Sequence, residues 1–307
     1  MTTEFLDRIR ADPDDDRLRE VYADWLLENG DPLGEFISLQ LKRARSGTPD
    51  ELERERALLN ENWFRWTGPL AKALHRDETA FERGFLSKIT IPRVSTPKKL
   101  LKALAGDPIW ATARTVRNVH LSDFWVPILI HPVMRGIRSA SMEEEELLQL
   151  ESAPWRLTEL VLRSWNFDEK HLAALAWEPF KSIRRLELQA TRLEQLELLT
   201  PVLPRLEQFQ TFLGTPGDGK PLLQFLKRGL CADVLLGTRT ISLHVKAGAI
   251  DLILHDAIPP MLENARLYAV VAKHVGLKPG SVTWAGAQTT ARPDPSVFTN
   301  LGFTIVR

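Results

Sequence analysis

Leu157-Thr-Glu-Leu160-Val-Leu162 and Ile183-Arg-Arg-Leu186-Glu-Leu188 carry one frame, with apolar residues at the first, fourth and sixth places. From its third place onward the second copy alternates polar and apolar, as the first does except at Val161, the two-residue period of a strand packed on one face. The frame recurs on both sides. Upstream it reads Leu86, Ile89, Ile91, then Val116, Val119, Leu121, then Ile137, Ala140, Met142; downstream it weakens to Leu206, Phe209, Thr211. Successive frames start 30, 21, 20, 26 and 23 positions apart. Helix signals fall between them. Thr96-Pro97 opens a helix over 97–105 that Gly106 ends, Asp168 caps 169–176, and Thr191 with Glu194 forms a capping box for 192–200. A strand plus a return helix of this length cannot bury its apolar side alone, but stacked copies can.

The section from residue 81 to 230 therefore resembles a leucine-rich-repeat solenoid, in a degenerate form. It lacks the asparagine that usually follows the last frame leucine, and Ala140 and Thr211 are weak core residues. The resemblance implies an α/β solenoid whose concave face is built from the side chains between the frame residues. Such faces bind extended partners. The candidate partner-binding residues are Lys88, Asn118, His120, Glu159, Arg163, Arg185, Glu187, Gln189 and Gln208, with Thr90, Ser122, Ser139, Ser141, Val161 and Gln210 between them. Arg163 and Arg185 stand first, because arginine is enriched where binding energy concentrates. The competing fold is an α/β domain whose short strands only mimic the period; the competing role for the two arginines is to solvate the sheet or to pair with Glu159 and Glu187.

Residues 1–80 are of another kind. They hold 12 Lys/Arg against 18 Asp/Glu, a net of −6, whereas residues 81–307 hold 28 against 22, a net of +6. Leu18, Val21, Tyr22, Trp25 and Leu26 recur at helical spacing, and Gly30 ends that helix. A second helix is predicted from Gly34 to Ser46, with Phe36, Ile37, Leu41 and Ala44 inward. A third opens on a capping box of Thr48 and Glu51, with Pro49 at its first position and Leu52, Leu58 and Leu59 inward. The run Val21-Tyr-Ala-Asp24-Trp-Leu-Leu-Glu28-Asn-Gly30-Asp31-Pro-Leu-Gly34-Glu35-Phe-Ile37 resembles the bacterial repeat-companion domain, over about residues 3–45. That family carries no activity to transfer; the resemblance implies repeats downstream. Asp24, Glu28, Asp31 and Glu35 are read as turn and helix-terminus residues and not as a metal cluster.

Beyond Gly229 the frame is lost. Strands are predicted at 240–245, 250–254 and 303–306, an ambiguous segment at 267–273, and a short helix after Asp294-Pro295. Residues 231–307 thus read as a small α/β cap. Cys231, His244, His255, Asp256 and His274 are the residues an enzyme would use here, but no spacing matches a known catalytic or metal motif. Gly214-Thr-Pro-Gly-Asp-Gly-Lys220 is followed by Pro221, so it is a loop and not a phosphate cradle. Most of the tryptophans sit beside helix or turn signals as gap-fillers, while Phe124, Trp125 and Trp165 follow strand ends and are candidates for a partner-gripping rim.

The whole chain has 307 residues, 40 Lys+Arg against 40 Asp+Glu, and one cysteine. A zero net charge disfavours a dominant polyanion-binding role, and one cysteine excludes an internal disulfide framework. With no signal core and no membrane-length apolar run, a cytoplasmic location is expected. The sequence therefore predicts three parts: a helical companion module over 1–80, a repeat section over 81–230 and a cap over 231–307. The expected role is a non-enzymatic scaffold for a protein partner, with no cofactor. The alternatives are a hydrolase or transferase site in the C-terminal section, nucleic-acid binding through the basic portion, and self-association of the acidic and basic parts.

Overall fold

The computed structural model describes residues 2–46, 52–91, 97–119, 125–163, 166–189, 198–199, 201–213, 223, 227, 231–236, 241–246, 248–254, 259–284 and 295–306. By internal contacts the chain divides into two compact units, residues 1–142 with 146–157, and residues 143–145 with 158–307.

The first unit opens with helices α1 (Thr2–Ala11), α2 (Asp16–Glu28), α3 (Pro32–Ser46) and α4 (Leu52–Thr67). Asp15 caps α2 by accepting the Leu18 N–H at 2.9 Å, and Gly30 follows its end at φ +68°. Helix α3 starts two residues before Gly34. Asp31 accepts the Leu33 N–H at 3.0 Å, and Pro32, with no N–H to leave unpaired, takes the first helical place. Ile9, Leu18, Tyr22, Ala23, Leu26, Ile37 and Leu41 form the core between these helices. Two inward assignments are corrected: Val21 is 49 % exposed and Ala44 is exposed, each lying on the outer side of its helix. The capping box at Thr48 and Glu51 lies outside the described residues.

Strands β1 (Ala80–Glu82) and β2 (Phe85–Thr90) form an antiparallel hairpin whose turn puts Arg83 and Gly84 at positive φ. The helices hold that turn through buried polar side chains. Arg19, 3 % exposed, donates to the carbonyls of Arg83 at 2.7 Å, Glu82 at 3.2 Å and Pro13 at 2.6 Å, and lies over the Phe85 ring. Burial, reinforced by the Arg83 cation, pushes its guanidinium down to about 10, so it stays charged at neutral pH.

The chain then runs through α5 (Lys98–Leu104), β3 (Thr115–Val119), α6 (Val126–Leu129) and β4 (Ser139–Glu143). Single 3-10 turns at Pro108–Thr112 and Pro132–Gly136 complete the return segments. Strands β2, β3 and β4 are parallel, and Ile89, Val116 and Ala140 lie in register, all buried. Trp110 and Trp125 meet edge to face at 6.5 Å beneath them. Trp125 is thus a core residue and not a rim residue; Phe124 and Trp165 lie outside the described residues.

After α7 (Glu144–Leu147), the second unit builds β5 (Glu159–Arg163), α8 (Glu169–Ala174), β6 (Arg185–Gln189), β7 (Gln208–Leu213) and β8 (Cys231–Leu236). Strands β5 to β8 are parallel neighbours. Leu160, Leu186 and Phe209 form one buried row and Leu162, Leu188 and Thr211 a second. The fourth place of each of the six frames therefore falls on a strand. Asp168 caps α8 as expected, in a box whose return bond comes from His171: Nδ1 accepts the Asp168 N–H at 3.1 Å. The segment 192–200 lies mostly outside the described residues.

Strand β8 hands over to β9 (Ile241–Lys246) and β10 (Ala249–Leu254), both antiparallel, and the chain returns through α9 (Pro259–His274) to β11 (Lys278–Trp284). After α10 (Ser296–Thr299), β12 (Thr304–Val306) ends the parallel order β10-β11-β12. The ambiguous run 267–273 is helix, inside α9. Residues 231–307, expected as a cap, extend the sheet of β5–β7 by direct pairing of β7 with β8. The fold is α/β with parallel-rich sheets. No helix among the described residues is long and apolar enough to cross a membrane.

Candidate functional site

Parallel sheets are usually covered on both faces and read as continuous apolar runs. Strands β5, β6 and β7 do not: Leu160, Leu162, Leu186, Leu188 and Phe209 are buried on one side, while the alternate places are mostly polar. The register turns those places into rows. Glu159, Arg185 and Gln208 stand opposite one another, as do Val161, Glu187 and Gln210. Adjacent strands lie roughly 4.8 Å apart, so each row is a short ladder of polar groups at that spacing.

Arg185 is the exposed member, and its guanidinium makes no hydrogen bond or ion pair with the described residues. Glu159, Arg163 and Glu187 are half-buried and have interactions of their own. Gln208 and Gln210 are half-buried. Position Gln189 stands opposite Arg163. Val161 is buried, a correction to its expected place on an open surface.

In the first unit the corresponding row is Lys88, Thr115 and Ser139. Here the expectation of an open face fails. Thr90, Ser139 and Ser141 are buried, and Thr90 donates its hydroxyl to the Glu78 carbonyl at 2.9 Å. Lys88 is half-buried and Asn118 lies on β3; His120 and Ser122 fall outside the described residues. The residues read from the sequence as one list are thus described in two stretches of strand face, one within each unit.

The carboxylates of the N-terminal module have structural partners where they are engaged. Asp31 caps α3 and meets Arg65 at 2.6 Å, and Glu35 forms a two-bond pair with Arg54 at 2.6 and 2.7 Å. That pair holds the Glu35 carboxyl below its ordinary value. Asp24 and Glu28 are exposed on α2. Among the described residues no group of three His, Cys, Asp or Glu side chains is placed to hold a metal ion.

Of the C-terminal candidates, Cys231 stands opposite Gln208 on β8, and His244 on β9 lies opposite both Asp233 and Asp251. Sequence reading missed Asp251, which accepts the Ser281 N–H at 2.5 Å and the Ser281 hydroxyl at 2.7 Å. The strand register shifts between Ile250 and Leu252, and the Asp251 side chain bonds the neighbouring backbone at that irregularity. His255, Asp256 and the loop 214–220 lie outside the described residues.

Compared with known protein families, curated proteins and solved structures, the chain matches none of them.

Proposed function

We propose that the chain is a binding scaffold without catalytic activity of its own, related to leucine-rich-repeat solenoids and headed by a repeat-companion module. Its partner is a protein, taken as an extended segment across the polar face of β5–β7. The observation that carries this reading is Arg185. It is exposed, has no partner among the described residues, and is flanked in register by Glu159 and Gln208 on parallel strands. A row of this kind offers directional donors and acceptors at strand spacing, suited to side chains along an extended chain. No cofactor takes part.

The test is affinity capture from the soluble extract of the source organism, with wild type and an Arg163→Glu/Arg185→Glu variant shown to be folded. A protein held by wild type and lost by the variant supports the reading, and crosslinking from position 208 then locates it. Equal capture by both baits, or capture by neither, overturns it.

A further inference from the structure

We infer that a cavity of about 290 Å³ in the first unit binds a neutral, side-chain-sized aromatic molecule carrying one hydrogen-bonding group. This is a small-molecule site, independent of the strand-face reading. The cavity is bordered by α1, α2, α3, α4, the β1–β2 hairpin and the turn at Pro108–Thr112.

Four rings, those of Tyr22, Trp66, Phe81 and Phe85, stand in its walls, with Leu6 and Ile109 among the aliphatic lining. The rings are braced. Tyr22 and Phe85 lie 6.3 Å apart, and Phe36 backs both Trp66 at 4.8 Å and Phe81 at 6.1 Å. Walls fixed in advance reduce the ordering a ligand must impose. The volume lies at the small end of the ligand-site range, which starts near roughly 300 Å³.

The charged groups on the wall are already satisfied. Asp31 accepts from the Leu33 N–H and from Arg65, Asp107 accepts from the Ile109 N–H at 3.0 Å, and Arg10 donates to Asp7 at 3.3 Å. An ionic ligand would meet no uncompensated opposite charge, and entering would cost it hydration. Two polar groups of the lining lack a partner among the described residues: the Trp66 indole N–H, which is itself buried, and the hydroxyl-bearing Tyr22. It is 2 % exposed, it lines the cavity, and its hydroxyl makes no hydrogen bond with the described residues. Burial and the Asp31 charge raise its ionisation above the ordinary phenol value, so it remains an O–H that can both donate and accept. Rings and aliphatic side chains around one unpaired hydroxyl, with the unpaired Trp66 N–H buried in the same lining, call for an aromatic body with one polar group that can both donate and accept.

The full chain would be titrated with benzyl alcohol, with toluene, and with phenylacetate and phenethylamine as charged counterparts, followed by tryptophan fluorescence and ligand-observed NMR. Benzyl alcohol should saturate with a Kd at or below about 1 mM. Toluene should bind about two- to tenfold more weakly, the worth of one hydrogen bond. Both ions should bind more weakly than the alcohol. Tyr22→Phe, which keeps the ring, should make benzyl alcohol and toluene bind alike. Ile109→Trp, which fills the space from another side, should abolish binding of both and serves if Tyr22→Phe does not fold. The inference is overturned if benzyl alcohol does not saturate, if either ion binds more tightly, if discrimination survives Tyr22→Phe, or if Ile109→Trp leaves binding unchanged.

Discussion

The side-chain oxygen of Gln40, on α3, accepts the N–H of Gly84, in the hairpin turn, at 2.8 Å. The same amide donates to the Phe81 carbonyl at 3.2 Å, so one side chain serves both the first strand of the hairpin and its turn. Glu55 steadies it from α4 and is itself held by Arg43 through bonds of 2.8 and 3.1 Å. Gln40→Leu leaves a buried N–H and a buried carbonyl without partners. It should lower stability by about 1–3 kcal/mol for each group that finds no water, read as a lower urea midpoint with an unchanged slope. A loss below about 0.5 kcal/mol would show that water replaces the amide.

Gly34 reverses the usual rule for helix glycines. In an open helix, Gly→Ala gains about 1 kcal/mol. A Cβ at Gly34, however, would stand 2.7 Å from the Ala23 carbonyl oxygen and 2.8 Å from the Leu27 nitrogen, both backbone atoms of α2. Gly34→Ala should therefore destabilise by about 1–3 kcal/mol, the range for forced overpacking, as measured by thermal or urea unfolding. A rise in melting temperature would mean that the two helices separate at little cost.

Asp251 ties β10 to β11 at the register shift between them. Asp251→Ala strands the Ser281 N–H and should cost about 1–3 kcal/mol, whereas Ser281→Ala removes only the hydroxyl bond and should cost about 1 kcal/mol. Asp251→Asn keeps an accepting oxygen and should fall between wild type and Asp251→Ala. Hydrogen exchange at the Ser281 amide checks the assignment directly, since only loss of the side-chain acceptor should accelerate it.

The Glu35–Arg54 pair makes a pH prediction whose sign is fixed. The Arg54 hydrogen bonds lower the Glu35 value in the folded state. Stability from the pair is therefore complete above the ordinary carboxylate value and is lost as pH falls through the lowered one. Glu35→Gln should melt slightly below wild type at neutral pH and low salt, and the two curves should converge in acid. High salt should narrow the gap as well, because the pair is largely exposed. A gap insensitive to both would assign the loss to helix capping instead.

The strands were legible because alternation and spacing are local: the fourth place of each of six frames lies on a strand, and Ala140 and Thr211 still occupy core places. Each stands in register beside a larger buried residue, Ala140 beside Val116 and Thr211 beside Leu188. Strand β11 escaped notice because it begins Lys278-Pro-Gly, which reads as a turn, and β8 because Cys231-Ala-Asp-Val-Leu-Leu236 does not alternate cleanly. Trp125 misled because a ring after a strand end can turn inward as well as outward. The cavity had no local signal. Tyr22, Asp31, Arg65, Phe85 and Asp107 come together only through tertiary packing, and the polar lock of Arg19 and Gln40 on the hairpin spans more than 40 positions.

Registered strands have a consequence for how this molecule can change. Positions 159, 185 and 208 display what a partner would meet, while 160, 186 and 209 hold the scaffold, and the two sets interleave without sharing a residue. Substitution within the first set rewrites the displayed text and leaves the binding of the page intact. Insertion of a single residue between Leu160 and Leu162 exchanges the sets, driving a leucine outward and a charge inward. The surface is therefore open to revision letter by letter and closed to shifts of phase.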